Sequence, residues 1–556
     1  MKRKLQVSNR WMELAQSETL SDLLEEVALK WPNKEALVIG GERVSYGQYM
    51  ANARKVAKGL YAMGIRRGDH VGIWMTNRPE WGYCRFGIYR LGAVMIPINT
   101  RYGRDDLDYI LQQGDIKALV TEERFLGKID AMNLLRNLIP ELDSSKPGEL
   151  SSTKYPYLAN VICLNGEQAG CFSWEDMMQL AAGIHDQDIE VKLNPEDLIH
   201  IIYTSGTTGF PKGVMTSNIG QIAYSAIVAE AFSLNEESRL LCVVPFFGNI
   251  GLGIMSFALV AGATLVVTSL FDPQRTLELI EREKITHGHF VPTMLRDILS
   301  HPDLEKFDLS SLKYIKSGGA YAPAKLIREA KEKIGALINN GYGLVEGSGL
   351  STWVPMDDSE EHVERTIGLA MPNCEVAIRD LRTDKELPPG QEGEICMREI
   401  FPGSCHMKGY YKRPELTAET IVDGWLHTGD LGVMDEEGYF RITGRVKEMF
   451  SVGGFNVSPP EVEDFLLKHP TIEAVSVVGV PDERLGEVGA AFIRFKKGQT
   501  ATEEEIINFC KGRIANIKAP RYIFFVQAFP LNPQGKVQKF KQREWAVKEL
   551  GLKESM

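Results

Sequence analysis

The sequence predicts an α/β protein: mostly parallel sheet first, then a β subdomain, then a small α+β module. Three observations carry this reading. From Thr19 to Ile334, short apolar runs alternate with amphipathic stretches of helical period, the pattern of βαβ units. Between Val376 and Phe440 the runs shorten and are punctuated by the turn sequences PPGQEG and DEEG, as in an antiparallel β subdomain. Beyond Arg445 the chain returns to a mixed pattern. At 556 residues it exceeds what one hydrophobic core accommodates, so several substructures are expected.

The first clear element is a helix from Thr19 to Trp31, with Leu20, Leu23, Leu24, Val27, Ala28 and Trp31 on one face. Thr19 and Asp22 supply a capping box. A helical pattern restarts over Val44–Leu60, and strands follow at Asp69–Met75 and Gly92–Ile98. Residues Ser144 to Tyr157 turn to Ser, Lys, Pro and Gly and read as a surface loop or insertion. Strand-like runs return at Leu198–Tyr203, Leu240–Val244, Ala263–Thr268, His287–Val291 and Tyr314–Ser317. Helical stretches at Thr276–Lys284 and Pro323–Ile334 lie between them. The run Asp357–Glu364, DDSEEHVE, reads as a solvated loop or helix face. The terminal module reads as helix Glu461–Lys468, strands Ala474–Val480 and Ala490–Phe495, helix Thr502–Cys510 and strand Tyr522–Val526.

Composition excludes several classes. With 44% hydrophobic and 25% charged residues this is an ordinary globular chain, and a net charge of −11 argues against a general nucleic-acid binder. The eight cysteines contain no C-x-x-C pair, which suits reduced thiols better than a disulfide framework or a zinc site. The basic N-terminus lacks an apolar core for a secretory signal, and no run approaches a membrane span. A cytoplasmic location is expected.

The stretch with most chemistry is Tyr203–Val214, YTSGTTGFPKGV. A strand delivers the chain to a loop of glycines and hydroxyls that ends in Lys212. Glycines let backbone N–H groups approach an anion closely, while hydroxyls and an ammonium add donors and charge. It is a candidate phosphate cradle, distinct from G-x-x-x-x-G-K-[ST] because Lys212 follows Pro211. A flexible surface loop is the competing reading. Asn340–Gly347, NGYGLVEG, flanks Tyr342 with Gly341 and Gly343, which would leave room for a flat ligand, and places Glu346 as a hard oxygen ligand suited to Mg²⁺. A turn around a buried tyrosine explains that motif equally. In Gly424–Asp430, GWLHTGD, a carboxylate on a Thr-Gly turn could accept hydrogen bonds from ribose hydroxyls. His427 reads as structural.

The run SGTTGFPKG resembles the signature loop of the adenylate-forming superfamily, which includes acyl-CoA synthetases, and further motifs follow in family order over nearly the whole chain. The resemblance implies an adenylation domain at 1–445, made of stacked α/β subdomains plus a β subdomain. It also implies a small mobile α+β C-terminal domain at 446–556, hinged near Lys447. Thr204, Ser205, Gly206, Thr207, Thr208, Gly209 and Lys212 would hold ATP phosphates. Ser317–Ala320 resembles the family's G-G-A turn, so Gly319 and Ala320 would lie between the adenine and acyl sites. Asn340, Gly341, Tyr342 and Gly343 would contact adenine, Glu346 would bind magnesium, and Asp430 and Arg445 would hold the ribose. NPQGKV resembles the catalytic-lysine loop, which makes Lys536 the residue acting at the α-phosphorus. Gly454 would line the tunnel for CoA.

The implied activity is ATP-dependent ligation of a hydrophobic fatty, alicyclic or aromatic acid to CoA through an acyl-AMP. The alternatives are delivery to a carrier protein's phosphopantetheine, adenylation alone, or nucleotide binding without ligase chemistry. No nucleic-acid partner is expected, and a homodimer is compatible with the resemblance. Three positions depart from the family pattern. Val345 replaces a threonine expected near the α-phosphate. Gly248 replaces a gating histidine in PFFGNIG, where Gly248, Asn249, Gly251 and Gly253 would shape a roomier acyl pocket. Gly453 stands where several relatives carry lysine.

Overall fold

The computed structural model describes residue 3 and residues 5–204, 211–318, 322, 324–452, 455–511, 513–531 and 537–552, without the side chains of 455 and 456. The chain divides into two compact units. The larger comprises Met1–Val376, Met397–Leu426 and Glu437–Tyr439; the smaller comprises Ala377–Cys396, His427–Glu436 and Phe440–Met556.

Two large sheets dominate the larger unit, beside a small antiparallel one of Gly341–Leu344, Gly349–Trp353 and Leu369–Ala370. One runs in the order Leu337–Asn339, Tyr314–Ser317, His287–Phe290, Arg239–Cys242, Thr264–Val267, Glu35–Ile39, Glu42–Ser45, and only its last pair is antiparallel. The other runs in the order Gly409–Tyr410, Lys212–Ser217, Leu198–Thr204, Val94–Pro97, His70–Trp74, Ile116–Thr121, Asn160–Cys163, Phe172–Ser173. Its first two pairs are antiparallel and the rest parallel.

Helix Asn218–Ala231 packs against the strand Lys212–Ser217 of one sheet. Helix Asn249–Ala261 packs against Arg239–Cys242 and Thr264–Val267 of the other, and the two helices pack on each other. Residues 218–229 are all buried, and so are residues 251–259. A helix apolar on every side is a core helix, and here the pair occupies the middle of the stack.

The sequence-level elements are found within a few residues of where they are expected. Helix Leu20–Lys30 carries the Thr19–Asp22 capping box, and Ser45 with Gln48 caps the next helix, Tyr46–Ala62. Val44 therefore belongs to a strand, because the capping serine sits after it. Two expectations change. The segment 144–157 forms no helix beyond Ser144 and no strand, yet Leu150 and Tyr155 are buried in the core against Leu142 and Leu158, so it is not purely surface. In the charge run, Ser359 caps helix Glu360–Arg365, whereas Asp358 is buried. Asp358 accepts from the Tyr439 hydroxyl and pairs with His362 at 2.7 Å.

The smaller unit takes its first residues from a five-stranded sheet in the order Cys374–Arg379, Gly393–Glu399, Trp425–Met434, Ile421–Val422, with Phe440–Arg445 also paired to Trp425–Met434. A second sheet runs Phe455–Val457, Phe450–Val452, Gly486–Phe495, Ile472–Asp482, with Tyr522–Phe525 parallel to Gly486–Phe495. Alternation along its strands fills both faces. Val477, Ala491 and Ile493 join one core with Val462 and Ile506, while Val478, Ala490 and Phe492 join another with Ala546. Ala546 lies on the terminal helix Lys539–Glu549, which sequence reading missed.

Candidate active site

The strand Leu198–Thr204 turns back as Lys212–Ser217, so the predicted cradle is the loop of a β-hairpin in which Thr204 pairs with Lys212. Thr204 Oγ1 donates to the Lys212 carbonyl at 3.4 Å. The loop residues Ser205, Gly206, Thr207, Thr208 and Gly209 lie outside the described residues, as do Gly319, Ala320, Gly454 and Lys536. The hairpin's second strand pairs on its far side with Gly409–Tyr410, through Val214 with Tyr410 and Met215 with Gly409. This pairing brings a residue absent from the sequence reading into the site. The Lys212 ammonium lies over the Tyr410 ring, 5.1 Å from its centroid. The Tyr410 hydroxyl donates to Glu346 Oε1 at 2.9 Å. Burial, reinforced by the Glu346 charge, raises the Tyr410 pKa and keeps the phenol protonated as a donor.

Glu346 stands on a short 3₁₀ turn, Val345–Gly347, after the strand Gly341–Leu344, and its carbonyl accepts from Met407 N at 2.8 Å. It is a half-exposed carboxylate with one oxygen steadied by a neutral donor. That donor set fits Mg²⁺, which is commonly held by one or two carboxylates together with substrate phosphates.

The neighbouring glycines are close-packed. A Cβ on Gly343 would stand 2.0 Å from the Gly349 carbonyl oxygen, and one on Gly341 would stand 2.8 Å from Lys316 Nζ and 2.9 Å from the Thr352 carbonyl. Any side chain at these two positions would collide with the neighbouring strand or with Lys316. Tyr342 itself is buried, paired with Thr352. Asn340 spends its amide on the Val363 carbonyl at 2.7 Å. Gly251 and Gly253 lie inside helix Asn249–Ala261, where added Cβ atoms would meet the Pro245 carbonyl at 2.3 Å and the Tyr224 ring at 3.2 Å. These two glycines are close-packed inside the helix.

Sequence reading also passed over Lys316. It is fully buried, Nζ sits 4.5 Å over the Trp353 ring, and among the described residues Nζ has no hydrogen-bond partner. Burial drives its pKa down to about 7. Its cross-strand neighbours are His289 and Asn339, also buried polar residues.

In the smaller unit, Asp430 and Arg445 are direct cross-strand partners, joined Oδ1 to Nε at 2.8 Å. The carboxylate is largely buried and the guanidinium half exposed. Asp430 N donates to Thr428 Oγ1 at 3.1 Å, and Gly429 between them has φ +73°, a conformation favouring glycine. Lys447 is exposed on a 3₁₀ turn, Val446–Glu448. On either side of 532–536, Leu531 and Val537 form an isolated antiparallel bridge.

A family model described as AMP-binding enzyme matches residues 24–411, and one described as AMP-binding enzyme C-terminal domain matches residues 461–536. The chain belongs to the AMP-binding enzyme family. It is 40% identical over 547 residues to YngI of Bacillus subtilis (strain 168), provisionally named an acyl-CoA synthetase, with 97% of this chain and 98% of that protein covered. It is 36% identical over 550 residues to the mitochondrial medium-chain acyl-CoA ligase ACSF2 of Danio rerio, covering 97% and 90% respectively. The crystal structure of the anthranilate CoA ligase AuaEII in complex with anthranoyl-AMP matches with a TM-score of 0.82 at 26% identity, over 98% of this chain and 100% of that one. This AMP-binding enzyme is an acid–thiol ligase of the acyl-CoA synthetase branch, forming AMP.

The packing around Tyr410 in this AMP-binding enzyme also gives Val345 a physical role. Val345 packs against Val214, Met407 and Tyr410, so its methyl groups brace the ring that meets Glu346 and Lys212. Among the described residues no helix is long and apolar enough to cross a membrane.

Proposed function

We propose that the protein activates a hydrophobic carboxylic acid with ATP and passes the acyl group to CoA. The observation that carries this is the convergence of Lys212 and Glu346 on Tyr410 beside the glycine-hydroxyl loop. An ammonium and a magnesium-compatible carboxylate there suit a polyphosphate. The ionised acid attacks the α-phosphorus, the bond to the β-phosphate's bridging oxygen breaks, and pyrophosphate leaves. No general base is needed, so catalysis reduces to positioning and charge neutralisation. Bound Mg²⁺ would neutralise phosphate charge, with Glu346 holding it. Lys212 and the 204–209 loop would clamp the departing phosphates, and Tyr342 would stack on adenine. Asp430 and Arg445 would hold the ribose, and Lys536 would stabilise charge developing at the α-phosphorus.

The CoA thiolate then attacks the acyl carbonyl and AMP leaves. The domains would be 1–445 and 446–556, with the second turning about a hinge near Lys447 between half-reactions and bringing Gly454 to the CoA tunnel. Among hydrophobic acids, the activity named for ACSF2 favours a medium-chain fatty acid over aromatic or alicyclic ones.

Incubation with ATP, Mg²⁺, CoA and a panel of carboxylic acids tests the reading. Acyl-CoA formed in step with pyrophosphate is the expected result. Pyrophosphate and acyl-AMP without acyl-CoA would mean a carrier-protein acceptor or adenylation alone, a reading that Gly248 in place of the gating histidine favours.

A further inference from the structure

Asp430 is presented by a turn that another side chain fastens. Glu394, on the strand Gly393–Glu399, uses both carboxylate oxygens: Oε1 accepts from Gly429 N at 2.7 Å and Oε2 from His427 Nδ1 at 2.8 Å. Next to it, the Ile395 carbonyl accepts from Thr428 Oγ1 at 2.6 Å, and that hydroxyl in turn accepts from Asp430 N. Each residue from His427 to Gly429 is thus tied to residues 394–395, and the fourth, Asp430, is tied through Thr428.

The fastening continues behind His427. Its Nε2 faces Asp384 Oδ1 at 3.7 Å, and Arg379 holds that carboxylate with two bonds, 2.7 and 3.0 Å. An alternating row results: guanidinium, carboxylate, imidazole, carboxylate, backbone N–H. Cys396 Sγ lies 3.5 Å from His427 Nδ1, so Glu394, Cys396 and His427 also group metal-ligating atoms within 4.8 Å. A metal would have to displace the Nδ1–H···Oε2 bond and ionise a thiol whose pKa burial and Glu394 both raise. The hydrogen-bonded network is the simpler use of these groups.

We propose that Glu394, supported by His427, is a positioning residue for nucleotide binding, fixing the Thr428–Gly429 turn so that the Asp430 carboxylate meets the ribose hydroxyls. Without it, Gly429 loses its N–H acceptor at a residue with wide conformational freedom, and the turn's share in orienting Asp430 is lost, leaving the Arg445 pair and the Thr428 bond. The inference rests on Asp430 binding ribose, so its test must separate the two.

The test is calorimetric titration of the full-length protein with ATP and with 2′,3′-dideoxy-ATP. Two charge-assisted hydrogen bonds give wild type a preference for ATP of about tenfold or more. Glu394→Ala should lower that preference severalfold while leaving the dideoxy-ATP affinity near wild type. Glu394→Gln, which keeps an oxygen for Gly429 N–H, should retain more of it. In an Asp430→Asn background, Glu394→Ala should cost nothing further. A Glu394→Ala protein with the wild-type ratio, or with both affinities weakened equally, overturns the positioning role while Asp430's own role survives. A wild-type ratio near one instead shows that Asp430 does not read the ribose hydroxyls, and the inference falls with it. Glu394→Gln and His427→Gln keep the test available if Glu394→Ala does not fold.

Discussion

Tyr410 donates its hydroxyl to Glu346 at 2.9 Å across 64 residues of sequence, and the same ring lies under the Lys212 ammonium. One tyrosine therefore steadies both a carboxylate proposed to hold magnesium and a lysine proposed to hold phosphate. Its backbone is fixed by the strand pairing of Val214 with Tyr410.

Tyr410→Phe keeps the ring under Lys212 and removes only the donor to Glu346. Such a bond is worth about 1.5–3 kcal/mol when one partner is charged, so the apparent affinity for magnesium and ATP in pyrophosphate exchange should fall by about ten- to a hundredfold. Thermal stability should change little. Tyr410→Leu, which also strips the ring from Lys212, should fall further. Equal exchange by wild type and Tyr410→Phe at limiting magnesium would remove Tyr410 from the site.

These relationships mark how far the sequence could be read. Lys212, Glu346 and Asp430 stood out because chemistry-bearing residues gather in short motifs of glycine and hydroxyl residues, whereas Arg445 was marked only by the family resemblance. Tyr410 and Glu394 did not, because each reaches its partner through strand pairing, across distances that no local pattern records. The α/β alternation was legible from apolar periodicity, whereas the buried role of Asp358 depends on Tyr439. Gly251, Gly253, Gly341 and Gly343 could not be told from sequence to sit against close neighbours, because those neighbours come from other elements or from a turn of their own helix.

Val345 offers a test of a different kind. It packs in the small apolar cluster of Val214, Met407 and Tyr410. Val345→Thr would place a hydroxyl there, and Val-to-Thr is not a neutral exchange even at equal volume. A loss of about 1 kcal/mol in unfolding free energy is expected from urea denaturation monitored on the larger unit. A stabilised variant would show that the cluster does not brace Tyr410.

Lys536→Ala separates the two half-reactions. The lysine is proposed to act where charge develops at the α-phosphorus and not where the thiol attacks. Carboxylate-dependent pyrophosphate exchange should fall by about a hundredfold or more, while conversion of supplied acyl-AMP and CoA to acyl-CoA stays near wild type. Equal loss of both would mean that Lys536 is structural or that the second half-reaction uses the same arrangement as the first.

Lys316 yields a prediction whose sign depends on pH. In the folded protein, burial holds its pKa down to about 7, while in the unfolded chain the amine stays protonated to about pH 10. Between those values the unfolded state binds the extra proton, so this residue makes stability rise with pH across that window. Below pH 7 the folded protein must carry a buried ammonium that lies over the Trp353 ring beside buried His289, with no hydrogen-bond acceptor among the described residues. Lys316→Met keeps an unbranched side chain of nearly the same length and removes the charge. Its melting temperature should exceed wild type most at pH 6–7, and the advantage should shrink steadily towards pH 10. A pH-independent difference, or a variant less stable than wild type at pH 6, would show that the Lys316 amine has a compensating partner in the folded protein.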